Sequence, residues 1–305
     1  MKIDIDWLVL CAGIFIVLVT PDVLAEENLS VRAYQAPMHE ADWSVKNSVF
    51  ECSLSQDIPQ FGEARFYHQA GEQLRFELKP FDRLLTNNDV SLSSVPPPWN
   101  FDSPVKEFGL LALAADGQFS IDQDFAKLLM SEMLTGMMPR LSGGSVFTGF
   151  EAVEVTLSPL RFRQAYEAYH QCSTDLLPVN FSQINRTTIL WPSGSNSLPA
   201  EAMKILDSIV LYTQADSSIV GFEVDSFTDT AGERRDNLLL SEERAFLVTN
   251  YLIRKGIDPE TIATRAHGER EQYLIVNPER TAADRNRNRR VNVVMLRGNS
   301  VATSQ

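Results

Sequence analysis

The sequence lacks the residue groupings that most enzymes need. Histidine is scarce, and none of the four is spaced with another histidine or a cysteine as zinc ligands are. The four are His39, His68, His170 and His267. The sequence contains no G-x-S-x-G and no phosphate-binding glycine loop. It therefore predicts a protein that is not an enzyme and that uses no metal and no cofactor.

Two short runs resemble catalytic groupings. SPVK at 103–106 matches the S-x-x-K of serine acyltransferases, but Pro104 follows Ser103 where such enzymes begin a helix, and no K-T-G or S-D-N accompanies it. The carboxylates Asp122 and Asp124 in IDQDF are more simply explained as a solvated turn. Neither run changes the prediction.

Positive charge is also limited, with 27 Lys and Arg against 40 Asp and Glu and a formal net charge of -13. Nucleic-acid binding needs a basic face, so this balance argues against nucleic acid as a partner. The 305 residues and the 44% hydrophobic content suggest two domains, each with a core.

One apolar run stands out, WLVLCAGIFIVLV at residues 7–19. It is shorter than the roughly 20 residues that span a membrane, and it fits the hydrophobic region of a signal peptide. VLA at 23–25 predicts cleavage after Ala25, so residues 1–25 would be removed. An uncleaved anchor is the alternative. Cys11 follows Leu10 inside the run, which does not fit a lipoprotein site.

Two cysteines, Cys52 and Cys172, remain after such cleavage. In an exported chain they most simply form one disulfide. The loop that it closes would stabilise the fold by roughly 4–5 kcal/mol in the chain-entropy model. The alternative is two buried free thiols.

Residues 26–175 are predicted to form a β-rich domain, with alternating runs such as NSVFECSLS and a hairpin turn at QAGEQ. DVSLSSVPPPWN indicates a strand stopped by three prolines, which leave Trp99 either on a docking ridge or packed in an edge loop. LRFRQAYEAYHQC is predicted to be a helix that returns Cys172 towards Cys52.

Residues 178–297 alternate strands and helices in a βαβαβ order with a final strand. This order predicts an α/β sandwich on a mixed sheet and an α+β protein overall. One helix is predicted to begin with Ser241 as N-cap, followed by Glu242 and Glu243, and to end near Gly256. That start would place Arg244 at the positive end of a helix. Residues 298–305 are predicted to be a disordered tail.

The second half resembles the OmpA C-terminal family, because separated motif elements occur in order. They are Thr228-Asp229, Gly232, Asn237, Leu240-Ser241, Arg244-Ala245, Gly256-Ile257 and Asn288-Arg289-Arg290-Val291. The resemblance implies non-covalent binding of peptidoglycan.

The resemblance also implies roles for individual residues. Asp229 and Arg244 would hold the ammonium and the carboxylate of diaminopimelate in the stem peptide, and Arg244 would be helped by helix N-terminal amides. Asn237, Arg289 and Thr228 match further positions of the motif. The alternative is that Asp229 and Arg244 form a structural ion pair. The family usually has Gly-His before Thr-Asp, whereas this chain has Ser226-Phe227, which could narrow the groove.

The first half resembles the N-terminal domain family of MotY, in WSVKNSVFECSLSQDIPQFGEARF, DVSLSSVPPPW and the placing of the cysteines. That resemblance implies a periplasmic tether in which this domain joins a flagellar basal-body ring with a MotX-like partner and the stator. Two other hypotheses are a general OmpA-like envelope protein unrelated to the motor and a wall-modifying enzyme.

Overall fold

The structure, a computed structural model, describes residues 30–82, 89–100, 102–111, 119–145, 150, 152–195 and 197–298. The predicted signal peptide lies outside these residues, as does the predicted tail except for Gly298. Within the described ranges no helix has both the length and the apolar character that a membrane span needs.

The first half consists mainly of strands. They are β1 (Val31–Gln35), β2 (Ser44–Asn47), β3 (Glu51–Ile58), β4 (Gly62–Gln69), β5 (Arg75–Pro80), β6 (Val90–Val95), β7 (Lys106–Leu111), β8 (Phe119–Ile121), β9 (Met138–Gly144) and β10 (Ala152–Thr156). Two helices accompany them, α1 (Gln123–Leu134) and α2 (Phe162–Thr174).

These strands form two sheets around one core. One sheet has the order β2-β3-β4-β5-β8 and is antiparallel. The other has the order β1-β10-β9-β6-β7, in which only β1 and β10 are parallel. Apolar residues alternate along the strands, so that Leu54 and Phe66 of one sheet and Leu92 and Val153 of the other enter a single buried cluster.

Several predictions for this half are confirmed. The hairpin at QAGEQ joins β4 to β5, with Gly71 at a φ of 70° that favours glycine. β6 ends at Val95, directly before the three prolines. The side chain of Trp99 lies in the turn after β6 and is 54% exposed, so the choice between a docking ridge and a packed edge loop stays a prediction.

The interpretation of IDQDF as a solvated turn is wrong. The Asp122 carboxylate accepts hydrogen bonds from the main-chain N–H groups of Asp124 and Phe125, both at 3.2 Å, and so caps α1. This helix was not predicted.

The predicted disulfide is confirmed. Cys52 in β3 and Cys172 in the last turn of α2 are bonded, with their Cα atoms 6.0 Å apart. α2 packs beside β2 and β3, as the sequence indicated, because it buries Phe162, Ala165, Tyr169 and Cys172 on one face. The alternative of two free thiols is therefore wrong.

The second half is the predicted α/β sandwich. Its elements are α3 (Phe181–Ile184), β11 (Arg186–Leu190), α4 (Ala200–Ala215), β12 (Ile219–Phe227), α5 (Arg234–Arg254), β13 (Ile262–Gly268), α6 (Ala282–Asn288) and β14 (Arg290–Arg297). Short 3-10 turns lie at Pro259–Thr261 and Glu271–Tyr273.

The sheet has the order β11-β14-β12-β13 and is mixed, since β12 and β13 are parallel while β14 is antiparallel to β11 and β12. α4 and α5 pack their apolar faces against it. Leu206, Val248 and Leu252 of the helices meet Val224 and Val293 of the strands in the core.

The two halves contact each other through the segment that joins them. Leu177 N–H donates to the Val49 carbonyl at 2.9 Å, and Gln183 Nε2 donates to the Gly71 carbonyl at 2.9 Å. The rings of Phe50 and Tyr212 lie 5.3 Å apart. Because this segment touches both halves, the division into 26–175 and 178–297 stays a prediction.

Candidate functional site

Helix α5 begins earlier than predicted, and Ser241 is not its N-cap. The N-cap is Glu233, and Ser241 lies inside the helix. The Ser241 hydroxyl donates to the Leu238 carbonyl at 2.7 Å and accepts from Gly268 N–H at 3.0 Å. These contacts satisfy a side chain that otherwise favours helix ends. Arg244 is therefore well within α5, and the prediction that helix N-terminal amides surround it is wrong.

Arg244 is a buried guanidinium with little compensation. The residue is 1% exposed, and its only hydrogen bond among the described residues is a long one of 3.5 Å from Nη2 to the Ser195 carbonyl. Its Nε and Nη1 are buried without a partner in that part of the chain. The guanidinium carbon lies 5.4 Å from the centroid of the Trp191 ring.

Burial is the main reason why the pKa of Arg244 falls to about 10, and the nearby charge of Arg289 adds to the effect. Asp229 and Glu243 act in the opposite direction. The guanidinium still carries its charge at neutral pH. A buried charge without an ion-pair partner is costly, which makes Arg244 a candidate to bind an anion.

The alternative of an Asp229–Arg244 ion pair is wrong, since Asp229 pairs with Arg289 instead. Arg289 Nη1 lies 2.6 Å from Asp229 Oδ2. The other nitrogens of Arg289 donate to the Trp191 carbonyl and to Asn286 Oδ1, both at 3.1 Å. Arg289 thus holds the Asp229 carboxylate in place, and the structure brings Asp229, Arg244 and Arg289 into one cluster.

Asn237 and Thr228 fix the chain on either side of Asp229. Asn237 Nδ2 donates to the Ala231 carbonyl at 3.1 Å and also to a Glu269 carboxylate oxygen. Thr228 N–H donates to the Gly268 carbonyl at 3.0 Å, whereas its hydroxyl is buried without a partner among the described residues. Both residues lie next to the cluster rather than within it.

Asn288 is a site residue whose role the sequence analysis missed. It is fully buried, and its Oδ1 accepts from the N–H groups of Ile275 at 2.7 Å and Val276 at 3.2 Å. Its Nδ2 donates to the Val276 carbonyl at 2.9 Å and to Glu279. Glu279 in turn accepts from Thr230 N–H at 3.1 Å and hydroxyl at 2.8 Å. Asn288 thereby ties the Arg289 segment to the loop that follows Asp229.

The ring of Phe227 packs away from Arg244. It stacks on His267 with a centroid distance of 4.8 Å, and the Arg290 guanidinium carbon lies 4.0 Å from its centroid. His267 Nε2 lies 2.8 Å from Asp225 Oδ1, which places the stack on the sheet face that bears Asp225. The effect of Phe227 on ligand affinity stays a prediction.

The S-x-x-K run is engaged in other contacts. The Ser103 hydroxyl accepts from Asn100 Nδ2 at 3.0 Å, and Lys106 Nζ pairs with Glu132 at 2.8 Å. In the described part of the chain, no three His, Cys, Asp or Glu side chains are grouped closely enough to hold a metal ion.

Residues 190–289, which include β12, β13 and the Asp229 cluster, match the OmpA family. A relative in this region is the peptidoglycan-associated lipoprotein of Pseudomonas putida, 33% identical over 34% of this chain and 60% of that protein. A solved structure of the C-terminal domain of Helicobacter pylori MotB is 21% identical, covers 37% of this chain and 86% of that chain, and has a TM-score of 0.33.

The first half has its own match, since residues 34–178 match the MotY N-terminal domain family. The sodium-type flagellar protein MotY of Vibrio parahaemolyticus is 27% identical over 85% of this chain and 89% of that protein. The chain therefore joins a MotY N-terminal domain to an OmpA-family domain.

Proposed function

We propose that this protein is a non-catalytic tether of the flagellar motor in the periplasm. Its OmpA-family domain binds the stem peptide of peptidoglycan, and its MotY-type domain binds a ring of the flagellar basal body, where a MotX-like partner and the stator assemble. The observation that carries the first part is the buried Arg244 guanidinium, whose Nε and Nη1 have no partner among the described residues.

The cluster suits a zwitterionic ligand. Diaminopimelate in a stem peptide offers an ammonium and a carboxylate at one end. A guanidinium binds a carboxylate through two parallel N–H donors. In Arg244 such a pair would combine Nη2, whose contact with the Ser195 carbonyl is long at 3.5 Å, with Nε or Nη1, which have no partner among the described residues. The Asp229 carboxylate accepts from Arg289 on one oxygen and from Ala231 N–H at 3.3 Å on the other, and it retains lone pairs for an ammonium.

Access to Arg244 requires a local change. The residue is 1% exposed, and the Ser195 carbonyl oxygen lies 3.5 Å from its Nη2. Trp191 Nε1 also donates to this oxygen, at 2.9 Å, and holds it in place. A ligand carboxylate would replace this long contact with shorter, charge-assisted ones. Binding therefore displaces the chain around Ser195.

Co-sedimentation of the whole purified protein with isolated sacculi tests the wall contact. We expect Arg244→Met and Asp229→Asn each to weaken binding at least about tenfold, because each removes one charge of the clamp. Arg254→Gln is the matched control, since it removes an exposed arginine from the far end of the same helix. Folded Arg244→Met protein that pellets as well as wild type would refute the wall contact.

The basal-body contact has a candidate in the exposed apolar side chains of the first half. Trp99 is 54% exposed, and Leu110 in the edge strand β7 is 67% exposed. Exposed tryptophans are frequent anchors of protein interfaces.

We expect Trp99→Ala to reduce co-purification with basal bodies about tenfold. Phe81→Ala is the control, since Phe81 is 76% exposed in the same half. Equal recovery of the Trp99 variant and wild type would place the contact elsewhere.

A general envelope anchor unrelated to the motor is the second candidate. It is favoured by the 33% identity to the peptidoglycan-associated lipoprotein, which exceeds the 27% identity to MotY although it spans only 34% of the chain. Deletion of the gene separates the two candidates. Loss of swimming in cells with normal flagellar filaments and intact envelopes supports the motor tether, whereas envelope leakage with normal swimming supports the general anchor.

A further inference from the structure

A cavity of about 430 Å³ lies beside the Asp229 cluster. Three arginines line it, Arg234 and Arg235 from the start of α5 and Arg270 from the segment after β13. Leu238, His267, Gly268 and Glu269 complete the lining of the cavity. We call this cavity the arginine cleft.

The positive charges of the three arginines have no compensating partner among the described residues. Across the described residues, none of their side chains has an ion pair or a hydrogen bond. Glu269, the one acid in the lining, is bonded to Asn237. The whole chain carries a net charge of -13, so a local group of free cations is unusual within it.

Helix stability does not explain these positions either. Arg234 and Arg235 occupy the first turn of α5, where the helix dipole disfavours positive charge. Asp236 is the acid that complements the dipole in this turn, and the two exposed arginines do not.

The arginine cleft adjoins the Asp229 cluster. Gly268 ends β13 close to α5, and an added Cβ there would lie 3.3 Å from the Leu238 backbone. The Gly268 carbonyl accepts from Thr228 N–H at 3.0 Å, one residue before Asp229. Asn237 bonds both Glu269 at the cleft and Ala231 in the loop after Asp229. These contacts place the arginine cleft beside the loop that carries Asp229.

We propose that the arginine cleft binds a second carboxylate of the same cell-wall peptide whose diaminopimelate occupies the Asp229 and Arg244 site. This rests on the proposed peptidoglycan binding and extends it to the glutamate of the stem peptide, whose α-carboxylate is free when the chain continues through the γ-carboxyl. The continuity of the two places favours this ligand over an acidic segment of another protein.

Calorimetric titration of the whole protein with two synthetic tripeptides tests the proposal. The first is alanyl-γ-glutamyl-diaminopimelate, and the second is the same peptide with the glutamate α-carboxylate converted to an amide. We expect wild type to bind the acid about fivefold more tightly than the amide, the size that partly exposed ion pairs allow. In the Arg234→Gln, Arg270→Gln double variant the ratio of the two dissociation constants falls to about one.

The controls separate this proposal from the one on which it rests. Arg254→Gln, which also removes a charge from α5, keeps the wild-type ratio. If wild type binds both peptides equally and Arg244→Met binds neither, the arginine cleft is refuted while peptidoglycan binding stands. If folded wild type binds neither peptide, both proposals fail.

Titration with a hexaglutamate peptide tests whether the arginine cleft binds an acidic protein segment instead. If wild type binds hexaglutamate, the double variant does not, and the ratio for the tripeptides is unaffected by the double substitution, then the cleft takes an acidic protein segment. That outcome overturns the assignment to the cell wall.

Discussion

The two halves of the molecule differ in how their most deeply buried charged group is paired. In the first half the fully buried Gln56 uses both ends of its amide, donating to the Ser158 carbonyl at 3.2 Å and accepting from Ser158 N–H at 2.9 Å. Its buried acid, Glu132, is paired with Lys106 at 2.8 Å. In the second half Arg244 is buried with two nitrogens that have no partner in the described part of the chain.

The difference separates a scaffold from a binding site. A satisfied buried amide contributes to a unique fold, whereas an unsatisfied buried cation opposes folding and persists only if something else requires it. In the proposed function the first half binds a large partner through exposed surface, and the second half binds a small ligand through its charges.

Removing the disulfide has the largest expected effect. Cys52 and Cys172 enclose a loop with a sequence separation of 120, so the double Cys→Ser variant should lose about 2–5 kcal/mol of stability. We expect hydrogen exchange to accelerate in residues 44–172 and to change little in residues 186–297. Equal acceleration in both ranges would show that the halves unfold as one unit.

Asn288→Ala should have the next largest effect, about 2–3 kcal/mol of destabilisation. It leaves the main-chain groups of Ile275 and Val276 without the partner that the fully buried Asn288 provides. Chemical denaturation measures the loss. Asn292→Ala is the control in the neighbouring strand β14, because Asn292 only accepts a bond from Thr188 in an exposed pair. Equal losses in the two variants would contradict the role given to Asn288.

Arg244→Met should stabilise the protein by about 1–2 kcal/mol, because it replaces a poorly compensated buried charge by an apolar side chain of similar length. Arg289→Met should destabilise it instead, since it leaves the Asp229 carboxylate without its 2.6 Å partner. Thermal unfolding distinguishes the two. A lower Tm for Arg244→Met would mean that Arg244 has a structural role.

The smallest expected effect is the pH dependence of the stability that Asp225 contributes. The hydrogen bonds from Arg265 hold the pKa of Asp225 below its usual value, burial acts against them, and His267 adds to the lowering. A carboxyl with a lowered folded-state pKa stabilises the protein above its unfolded-state pKa, and this stability is lost as the pH falls through the lower folded-state value. Asp225→Asn should therefore lose less than about 1 kcal/mol at neutral pH, and the loss should shrink as the pH falls through the lowered pKa of Asp225. A loss that is the same at pH 7 and pH 3 would contradict the ionic role of Asp225.

The sequence predicted the features that short sequence patterns determine. Alternating apolar residues located most strands, and the resemblance to the OmpA family selected Asp229, Arg244 and Arg289. What it missed depends on distant contacts. The partner of Asp229 is 60 residues away, and the amide that satisfies Ser241 belongs to another strand, at Gly268.

The predicted start of helix α5 was wrong for a related reason. Ser241 has the side chain of a cap, and Glu233, the residue that begins α5, makes no side-chain cap hydrogen bond. The local sequence signal for a helix start is therefore stronger at Ser241, inside α5, than at Glu233, where the helix begins. Asn288 stood within the motif, but its four hydrogen bonds run to a loop that carries no sequence signal of its own.

The position of the disulfide has a mechanical consequence. Cys172 lies in the last turn of α2, directly before the segment that leads to the second half. In the proposed tether, tension along the covalent chain reaches the first half at Cys172 and passes through the sulfur bridge into β3, an inner strand held by β2 and β4, while the contacts at Val49 and Gly71 share the load. The chain between the two cysteines is bypassed by this load path. A pull from the wall would strain the bridge and the middle of a sheet, and it would not peel α2 from the domain.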